Sequence, residues 1–192
     1  MSSTVAINRT LENFGKVIGE FPEFRFAGDP VLRQKTQEVS LADGIEIGKY
    51  LGDILVRYRQ LVGYGRGLAA PQTGISKSVF VTFMDNDVQI YINPKITASS
   101  QRQNYYRELC LSSGIIWGDV KRAEQITIKW TDPTGTLKTR EFDNVLARLL
   151  QHEYKHLDGE LNIDIAEPGS LEIITEDPLK EVLRIKPLKE RK

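Results

Sequence analysis

The five residues from His152 to His156 have the types and spacing of half a metal site with its own general base. The chain has only two histidines, and they lie four positions apart in the pattern H-E-x-x-H. Residues four apart share one face of an α-helix, so both imidazoles can point at one ion. Glu153 would lie beside that ion, where it can accept a proton from a water molecule. The alternative interpretation is an exposed, charged helix that carries two histidines by chance.

The flanking residues predict the helix that this pattern needs. Asp143 and Asn144 are suited to a helix N-cap, and Gly159 is suited to a C-terminal stop. Between them, residues at intervals of three and four form one stripe: Val145, Leu146, Leu149, Leu150, Glu153, His156 and Leu157. We therefore expect the metal site at the edge of the core, where its ligands are held rigidly.

Two histidines do not complete a catalytic metal site, which usually has three protein ligands and an open position for water. In a protease pattern that continues to a third histidine, Gly159 is in place but Asn162 replaces that histidine. Glu172 or Glu176 could serve instead, although their surroundings predict a strand or loop. The strongest candidate is Cys110, the only cysteine, which has no partner for an intramolecular disulfide and suits a reducing compartment. A lone cysteine is otherwise an inert, buried apolar residue.

Three segments resemble the motifs of the peptide deformylase family, in the family's order. Residues 65–72 (GRGLAAPQ) resemble G-x-G-x-A-A-x-Q, residues 108–112 (ELCLS) resemble E-G-C-x-S, and residues 151–159 (QHEYKHLDG) resemble Q-H-E-x-D-H-x-x-G. Residues 29–33 (DPVLR) are similar to the family's N-terminal strand entry. The resemblance covers residues 24–164, and three motifs in order are far more specific than one.

The resemblance implies a metal-dependent hydrolase that removes the N-formyl group from the first residue, formyl-methionine, of newly made polypeptides. Three residues would hold one divalent ion: Cys110, His152 and His156. The family usually works with Fe²⁺ and accepts Ni²⁺, Co²⁺ or Zn²⁺, and this ligand set does not choose among them. Glu153 would be the general base, while the Gln72 side chain and the backbone N–H of Leu111 would stabilise the oxyanion.

Four residues are expected to contact the substrate: Arg66, Gly67, Glu108 and Leu109. Gly67 is small enough for a peptide to approach and pair with a strand edge. Leu109 replaces a family glycine and Arg66 replaces an apolar residue, both at the border of the pocket for the first side chain. Two alternatives therefore stay open: a hydrolase of the same fold with another acyl group or first residue, and a non-catalytic protein that binds nascent chains.

Lys155 replaces the aspartate of the third motif. In the family this aspartate often pairs with an arginine, which Arg122 matches here. We therefore expect repulsion between Lys155 and Arg122, unless Glu108 compensates both positive charges.

The rest of the sequence predicts an α+β fold in which antiparallel sheets pack around the helix that carries H-E-x-x-H. Residues 41–62 predict an amphipathic helix with this apolar stripe: Ile45, Ile47, Leu51, Ile54, Leu55, Tyr58 and Leu61. Two hairpins are predicted, one from strands at 78–84 and 88–92, the other from strands at 124–131 and 137–142.

Length and composition predict one main domain with two additions. We expect an N-terminal extension at 1–23, a catalytic domain at 24–164 and a C-terminal tail at 165–192. Acidic and basic residues balance at 26 each, which gives no electrostatic footprint for nucleic acid. There is no apolar run of membrane-spanning length and no signal-peptide core. The expected partners are N-formylated nascent peptides, with the ribosome as an option, in a bacterial-type cytoplasm or an organelle.

Overall fold

The computed structural model describes residues 3–174. The helices are α1 (Ser3–Glu20), α2 (Leu41–Val62) and α3 (Asn144–Leu157). The strands are β1 (Gly67–Ala69), β2 (Val79–Met84), β3 (Asp87–Ser99), β4 (Gln103–Leu109), β5 (Ile116–Ala123), β6 (Gln125–Thr131), β7 (Leu137–Asp143) and β8 (Glu172–Ile173). Short 3-10 turns lie at Pro30–Arg33, Ala70–Thr73, Leu111–Ser113 and Asn162–Asp164.

The strands form two antiparallel sheets. One sheet has five strands in the order β1-β2-β3-β6-β7, and the other has three in the order β4-β5-β8. Helix α3 contacts strands of both sheets, while α2 packs on the five-stranded sheet. The predicted α+β fold, with antiparallel sheets around the H-E-x-x-H helix, is confirmed. Both predicted hairpins form, as β2 with β3 and as β6 with β7.

Strand β2 shows why the core lies on both faces of the larger sheet. Side chains alternate between the faces of a strand. Val79 and Val81 join the apolar cluster under α2, whereas Phe80 joins the cluster under α3. All three side chains are completely buried. The larger sheet is therefore the layer that separates α2 from the helix carrying the site.

Helix α2 has its predicted bounds, but part of its buried face is glycine rather than an apolar stripe. Three glycines four positions apart lie against β3: Gly44, Gly48 and Gly52. A Cβ atom on Gly48 would lie 2.4 Å from Cγ2 of Ile90, so even a methyl group there would have to displace the Ile90 side chain. Leu61, predicted to be in the stripe, is 40% exposed.

The segments outside the predicted catalytic domain contribute to the packing where they are described. Val17 and Phe21, in and just after α1, are buried in the cluster under α2. Residues of β8 pair with β5. The rest of the predicted tail, including Glu176, lies outside the described residues. Between residues 3 and 174, no helix is both long and apolar enough to cross a membrane.

Candidate active site

Helix α3 presents the H-E-x-x-H residues to the interior. Its buried residues are Ala147, Arg148, Leu149, Leu150, Glu153, His156 and Leu157. The His152 side chain is only 11% exposed, and Asp143 occupies the N-cap position. The predicted stripe is wrong at Leu146, which is 38% exposed. Arg148, two residues after Leu146, is buried instead, so α3 presents a charged side chain to the cavity.

The structure brings together the three predicted metal ligands. One ligand atom from each of Cys110, His152 and His156 lies within 4.8 Å of the other two. Cys110 Sγ and His156 Nε2 are 3.3 Å apart. A tetrahedral ion with bonds of about 2.0–2.3 Å places its ligand atoms roughly 3.5 Å apart. The alternative ligand Glu172 instead accepts a hydrogen bond from Arg107 Nη1 at 2.8 Å.

The hydrogen bond of His152 also fits a bound ion. His152 Nδ1 lies 2.9 Å from Glu108 Oε2, so this nitrogen donates to the carboxylate and Nε2 is left for the ion. His156 Nδ1 and Glu153 Oε2 are buried and have no hydrogen-bond partner within residues 3–174. One thiolate and two imidazoles suit borderline transition-metal ions. The residues therefore fit one divalent transition-metal ion.

Cys110 and His152 shift each other's pKa in opposite directions. Burial lowers the pKa of His152, but hydrogen bonds with Cys110 and Glu108 outweigh this effect and raise it to about 10. Burial would raise the pKa of Cys110, but the charge of His156 and the hydrogen bond with His152 hold it well below its usual range. A metal ion requires neutral imidazole, so its binding releases the imidazolium proton.

Glu108 connects the ligands to two arginines. Its Oε1 accepts hydrogen bonds from Arg122 Nε at 2.7 Å and from Arg148 Nη1. Its Oε2 accepts from Arg122 Nη2 at 2.8 Å and from His152. Burial would raise the pKa of Glu108, but Arg122 and His152 hold it well below its usual range. These four hydrogen bonds occupy all the acceptor positions of the Glu108 carboxylate, two on each oxygen.

Lys155 is not part of this network. Its Nζ donates to Glu160 Oε1 at 3.0 Å, and both side chains are more than one-third exposed. The expectation that Glu108 compensates Lys155 as well as Arg122 is wrong, because the second cation on Glu108 is Arg148. Lys155 finds a nearer carboxylate because the chain turns back after α3.

Gln72 is held with its amide nitrogen toward the metal ligands. Its Oε1 accepts a hydrogen bond from the Ala69 N–H at 2.9 Å. Its Nε2 donates to Ser112 Oγ at 3.3 Å and lies 3.7 Å from Cys110 Sγ. The Ala69 bond fixes which end of the amide points into the site, so the group presented there is a donor.

Leu111 follows Cys110 as the first residue of a 3-10 turn. The hydrogen bonds of this turn use the N–H groups of Ser113 and Gly114, at 3.1 and 3.0 Å. The N–H of Leu111 is outside them, as expected at the start of a helical turn. The structure thus places both predicted oxyanion donors, on Gln72 and Leu111, next to the ligand Cys110.

Asn162, which occupies the position of the missing third histidine, ties down the Cys110 segment. Its Nδ2 donates to the Glu108 carbonyl at 3.0 Å, and its Oδ1 accepts from Ser113 Oγ at 2.5 Å. These bonds hold the chain on both sides of Cys110. Both polar atoms of the Asn162 side chain are used in these hydrogen bonds, so this residue supports the segment that carries Cys110.

Gly67 is required by Glu153. A Cβ atom on Gly67 would lie 2.3 Å from Glu153 Oε1, far inside the contact distance. The prediction gave this glycine a role in substrate approach, and the structure adds that its missing side chain makes room for the carboxylate.

Burial raises the pKa of Glu153, against the opposing charges of His152 and His156. Gly67 lies in β1, at the edge of the five-stranded sheet.

A cavity of about 160 Å³ opens beside these groups. All four predicted substrate-binding residues line it: Arg66, Gly67, Glu108 and Leu109. Leu109 also borders a second cavity of about 30 Å³, which Phe14 and Val17 of α1 help to line. Leu109 therefore lies between the main cavity and helix α1 and borders both cavities.

Two lining residues that the sequence analysis missed are Tyr106 and Arg148. The Arg148 guanidinium lies over the Tyr106 ring, 4.5 Å from its centroid, and Nη2 donates to the Asn104 side chain at 2.7 Å. Arg148 precedes His152 by four positions, so helical spacing alone could have placed it on the ligand face. No comparable signal marks Tyr106 or Asn104.

The comparisons with known proteins agree with this geometry. The family described as "Polypeptide deformylase" matches residues 23–171. A peptide deformylase of Treponema pallidum is 38% identical over 143 residues, which is 74% of this chain and 86% of that protein.

Solved structures give the same result. A peptide deformylase from Thermotoga maritima has a TM-score of 0.68 and 33% identity, covering 76% of this chain and 97% of its own. A class I type b peptide deformylase from Acinetobacter baumannii, solved with Met-Ala-Ser bound, has a TM-score of 0.66 and 26% identity, covering 74% and 96%. Ligand geometry, motif order and these similarities lead to one conclusion: the chain belongs to the polypeptide deformylase family.

Proposed function

We propose that this chain is a peptide deformylase in which Glu153 is the general base, Gln72 and Leu111 are the oxyanion donors, and Cys110, His152 and His156 are the metal ligands. The observation that supports these roles is that five of the six residues line one cavity, while His156 lies against Cys110. The ligand atoms lie within 4.8 Å of one another, and the Glu153 carboxylate and the Gln72 amide line the same space. The substrate would be an N-formylated peptide, as the family name and the Met-Ala-Ser complex of the Acinetobacter baumannii relative suggest.

A divalent ion held by the three ligands would supply Lewis acidity, which makes water more acidic and polarises the formyl oxygen. Glu153 accepts a proton as water attacks the formyl carbon. Its Oε2 is suited to this task because no donor of the described residues competes for it. Glu153 then delivers the proton to the departing nitrogen as the C–N bond breaks, giving formate and a free amine.

The oxyanion of the tetrahedral intermediate would lie between Gln72 Nε2 and the N–H of Leu111. Fixed donors aimed at developing charge lower the barrier without reorganisation during the reaction. Strand β1 lies at the edge of its sheet, so a peptide backbone could pair with it and bring its formyl end to Glu153. His152 keeps its orientation through its hydrogen bond to Glu108.

The ligand chemistry supports Fe²⁺, Ni²⁺, Co²⁺ or Zn²⁺, and we propose Fe²⁺ as the working ion, as in the family. Metal analysis of protein purified without air, compared with formate release for each ion, tests this choice. We also propose that the substrates are nascent chains, met at the ribosome, in a bacterial-type cytoplasm or an organelle that makes formylated proteins. Cosedimentation with translating ribosomes tests that part.

The decisive experiment measures formate release from formyl-Met-Ala-Ser by the wild type and by Glu153→Gln, each carrying one equivalent of metal. Glutamine keeps the volume of the side chain but accepts no proton, so we expect the rate to fall by about 10²–10⁴-fold. Metal content should not change, because Glu153 is not a ligand. The control is Glu46→Gln on the exposed face of α2, which should leave the rate unchanged. A Glu153→Gln variant with near wild-type turnover would remove Glu153 from the mechanism.

A further inference from the structure

The three proposed metal ligands come from two separate parts of the fold. His152 and His156 lie on α3, whereas Cys110 directly follows strand β4 of the three-stranded sheet. The spacing between their ligand atoms therefore depends on how α3 is held against that sheet. Because a metal site needs its ligands in one geometry, the contacts that join the helix to the sheet decide how an ion would be held.

Arg148 joins the two elements one turn of α3 before His152. Its Nη1 donates to Glu108 Oε1 and to the Val120 carbonyl, the latter at 3.1 Å. Its Nη2 donates to the Asn104 carbonyl at 2.9 Å and to Asn104 Oδ1 at 2.7 Å. One side chain of α3 thus binds strand β4, through Asn104 and Glu108, and strand β5, through Val120.

The Arg148 side chain is also held by an aromatic ring. Its guanidinium lies over Tyr106, with 4.5 Å between Cζ and the ring centroid. The side chain is 10% exposed, so little water competes for its donors. A guanidinium is planar and directs its hydrogen bonds at fixed angles, unlike the flexible ammonium group of a lysine. Four hydrogen bonds and one ring therefore fix the position of this side chain, and through it the position of α3.

Arg122 and Arg107 differ from Arg148 because their ion pairs lie within the sheet. Arg122 of β5 donates to both oxygens of Glu108, at 2.7 and 2.8 Å, but Glu108 is on the neighbouring strand β4. Arg107 of β4 pairs with Asp119 of β5 at 2.9 Å. These two arginines stabilise the sheet itself, whereas Arg148 attaches the helix to it.

Charge balance does not require Arg148. Arg122 already supplies one positive charge for the one negative charge of Glu108. Desolvation lowers the pKa of Arg148, which Glu108 opposes, so burial of this guanidinium has a cost. Well-packed apolar residues often stabilise a fold as well as a buried ion pair does. What Arg148 adds is therefore the attachment of α3, since the charge of Glu108 is already matched.

We propose that Arg148 is a positioning residue that fixes the distance between Cys110 and the two histidines, so that the protein offers one arrangement of ligands to the ion. This inference rests on the proposed function, because it takes Cys110, His152 and His156 as the ligands. Arg148 acts through β4 and β5 rather than on the ion or the substrate. Without it, α3 would shift on the sheet, and the ligand atoms would no longer converge.

The test uses Co²⁺, because the visible absorption of this ion depends on the geometry of its ligands. The wild type and Arg148→Met are compared for Co²⁺ affinity, by competition with a chelator, and for absorption at full occupancy. Methionine keeps most of the length of the side chain and removes its donors. We expect the affinity to fall by roughly 10–100-fold, as for other residues that orient metal ligands from behind. The absorption bands should shift, and formate release from formyl-Met-Ala-Ser at saturating metal should fall with them.

Asn104→Ala is the milder variant, and it decides the question if Arg148→Met does not fold. It removes the Nη2 hydrogen bond to the Asn104 side chain and leaves every charge and the backbone bond in place. It should shift the same quantities in the same direction, with a fall in affinity of no more than about tenfold.

Arg107→Met is the matched control. Like Arg148, Arg107 pairs with carboxylates, those of Asp119 and Glu172, and lies over an aromatic ring, 5.3 Å from the centroid of Trp117. These partners all belong to the three-stranded sheet. The control should therefore keep the Co²⁺ affinity and the absorption of the wild type.

Wild-type affinity and absorption in Arg148→Met would overturn the inference while leaving the proposed ligands intact, and so would an equal shift in Arg107→Met. Weaker binding with unchanged absorption and unchanged turnover at saturation would overturn it too, because Arg148 would then stabilise the fold without setting the geometry. A wild type that binds no Co²⁺ would instead overturn the proposed metal site, and with it the proposed function.

Discussion

The ligand side and the cavity side of the site treat their buried charges in different ways. On the ligand side, the Glu108 carboxylate is 7% exposed and is bonded to two guanidinium groups and one imidazole. On the cavity side, Arg66 has no such partner within residues 3–174. Charges that are balanced inside the protein keep one geometry whether or not substrate is present. A charge left unbalanced at a cavity instead gives its interaction energy to whatever binds. The charges around the candidate metal ligands are therefore set by the protein itself, whereas the charge of Arg66 faces the cavity.

The largest effect that would sharpen this contrast is expected from Glu108→Gln. Loss of one negative charge leaves two buried guanidinium groups without their counterion, which should lower the free energy of unfolding by about 3–5 kcal/mol. Metal affinity should fall by roughly 10–100-fold, because His152 loses its carboxylate partner. Denaturant unfolding and competition with a chelator measure the two quantities.

Glu172→Gln is the matched control for this change. Glu172 also binds an arginine, Arg107, but its side chain is 46% exposed. Exposed ion pairs contribute at most about 1 kcal/mol, so this variant should keep both stability and metal affinity. If Glu108→Gln lowered stability and metal affinity no more than Glu172→Gln does, the buried ion pairs of Glu108 would contribute no more than an exposed ion pair.

A smaller, purely kinetic effect is expected from Gly67→Ala, where the two sides meet. The new methyl group must push the Glu153 carboxylate aside, because its Cβ would lie 2.3 Å from Oε1. A displaced base should lower kcat by up to roughly 100-fold, while metal content stays at one equivalent. Formate release with metal analysis measures both. Gly15→Ala in α1, where no atom lies within 4 Å of the added Cβ, should leave kcat unchanged. Loss of metal in Gly67→Ala would mean that a change on the cavity side also disturbs metal binding.

The smallest effect is expected from Lys155→Asp, which restores the residue typical of the third motif. Lys155 pairs with Glu160 at 3.0 Å at the end of α3 and does not join the Glu108 network. Metal content and turnover should change by less than about twofold. Stability should fall by about 0.5–1 kcal/mol, because an acidic residue in the last turn opposes the helix dipole and faces Glu160. Lys155→Ala separates the two causes. A large change in activity would instead bring Lys155 into the support of the metal.

The candidate metal ligands and the proposed base could be picked out from the sequence because their signal is local. His152, Glu153 and His156 occupy one helical repeat, and Cys110 is marked by its motif and by being the only cysteine. The bounds of α2 and of the second hairpin were equally readable, since they follow from periodicity and turn residues. The first hairpin was found, but its second strand extends to Ser99, beyond the predicted end at residue 92.

What could not be predicted depends on contacts between distant segments. The second arginine on Glu108 comes from 40 residues away. The glycine face of α2 was invisible to a search for apolar stripes, because the side chains that fill the contact belong to β3. The reason for Gly67 was found only partly, since the carboxylate that it accommodates lies on α3. In each case the sequence shows the type of a residue but not which distant residue it contacts in the fold.

The hydrogen bonds of Asn162 have a consequence for the order of folding. They join segments that are 54 and 49 residues apart, and they hold the chain on both sides of Cys110. Contacts between such distant segments form slowly, since a long loop must close first. Helix α3 with its two histidines depends mainly on contacts that are near in sequence, whereas Cys110 is held in place only when the segment after α3 has docked. During refolding, uptake of the metal should therefore lag behind the formation of helix, and its rate would report the final step of folding.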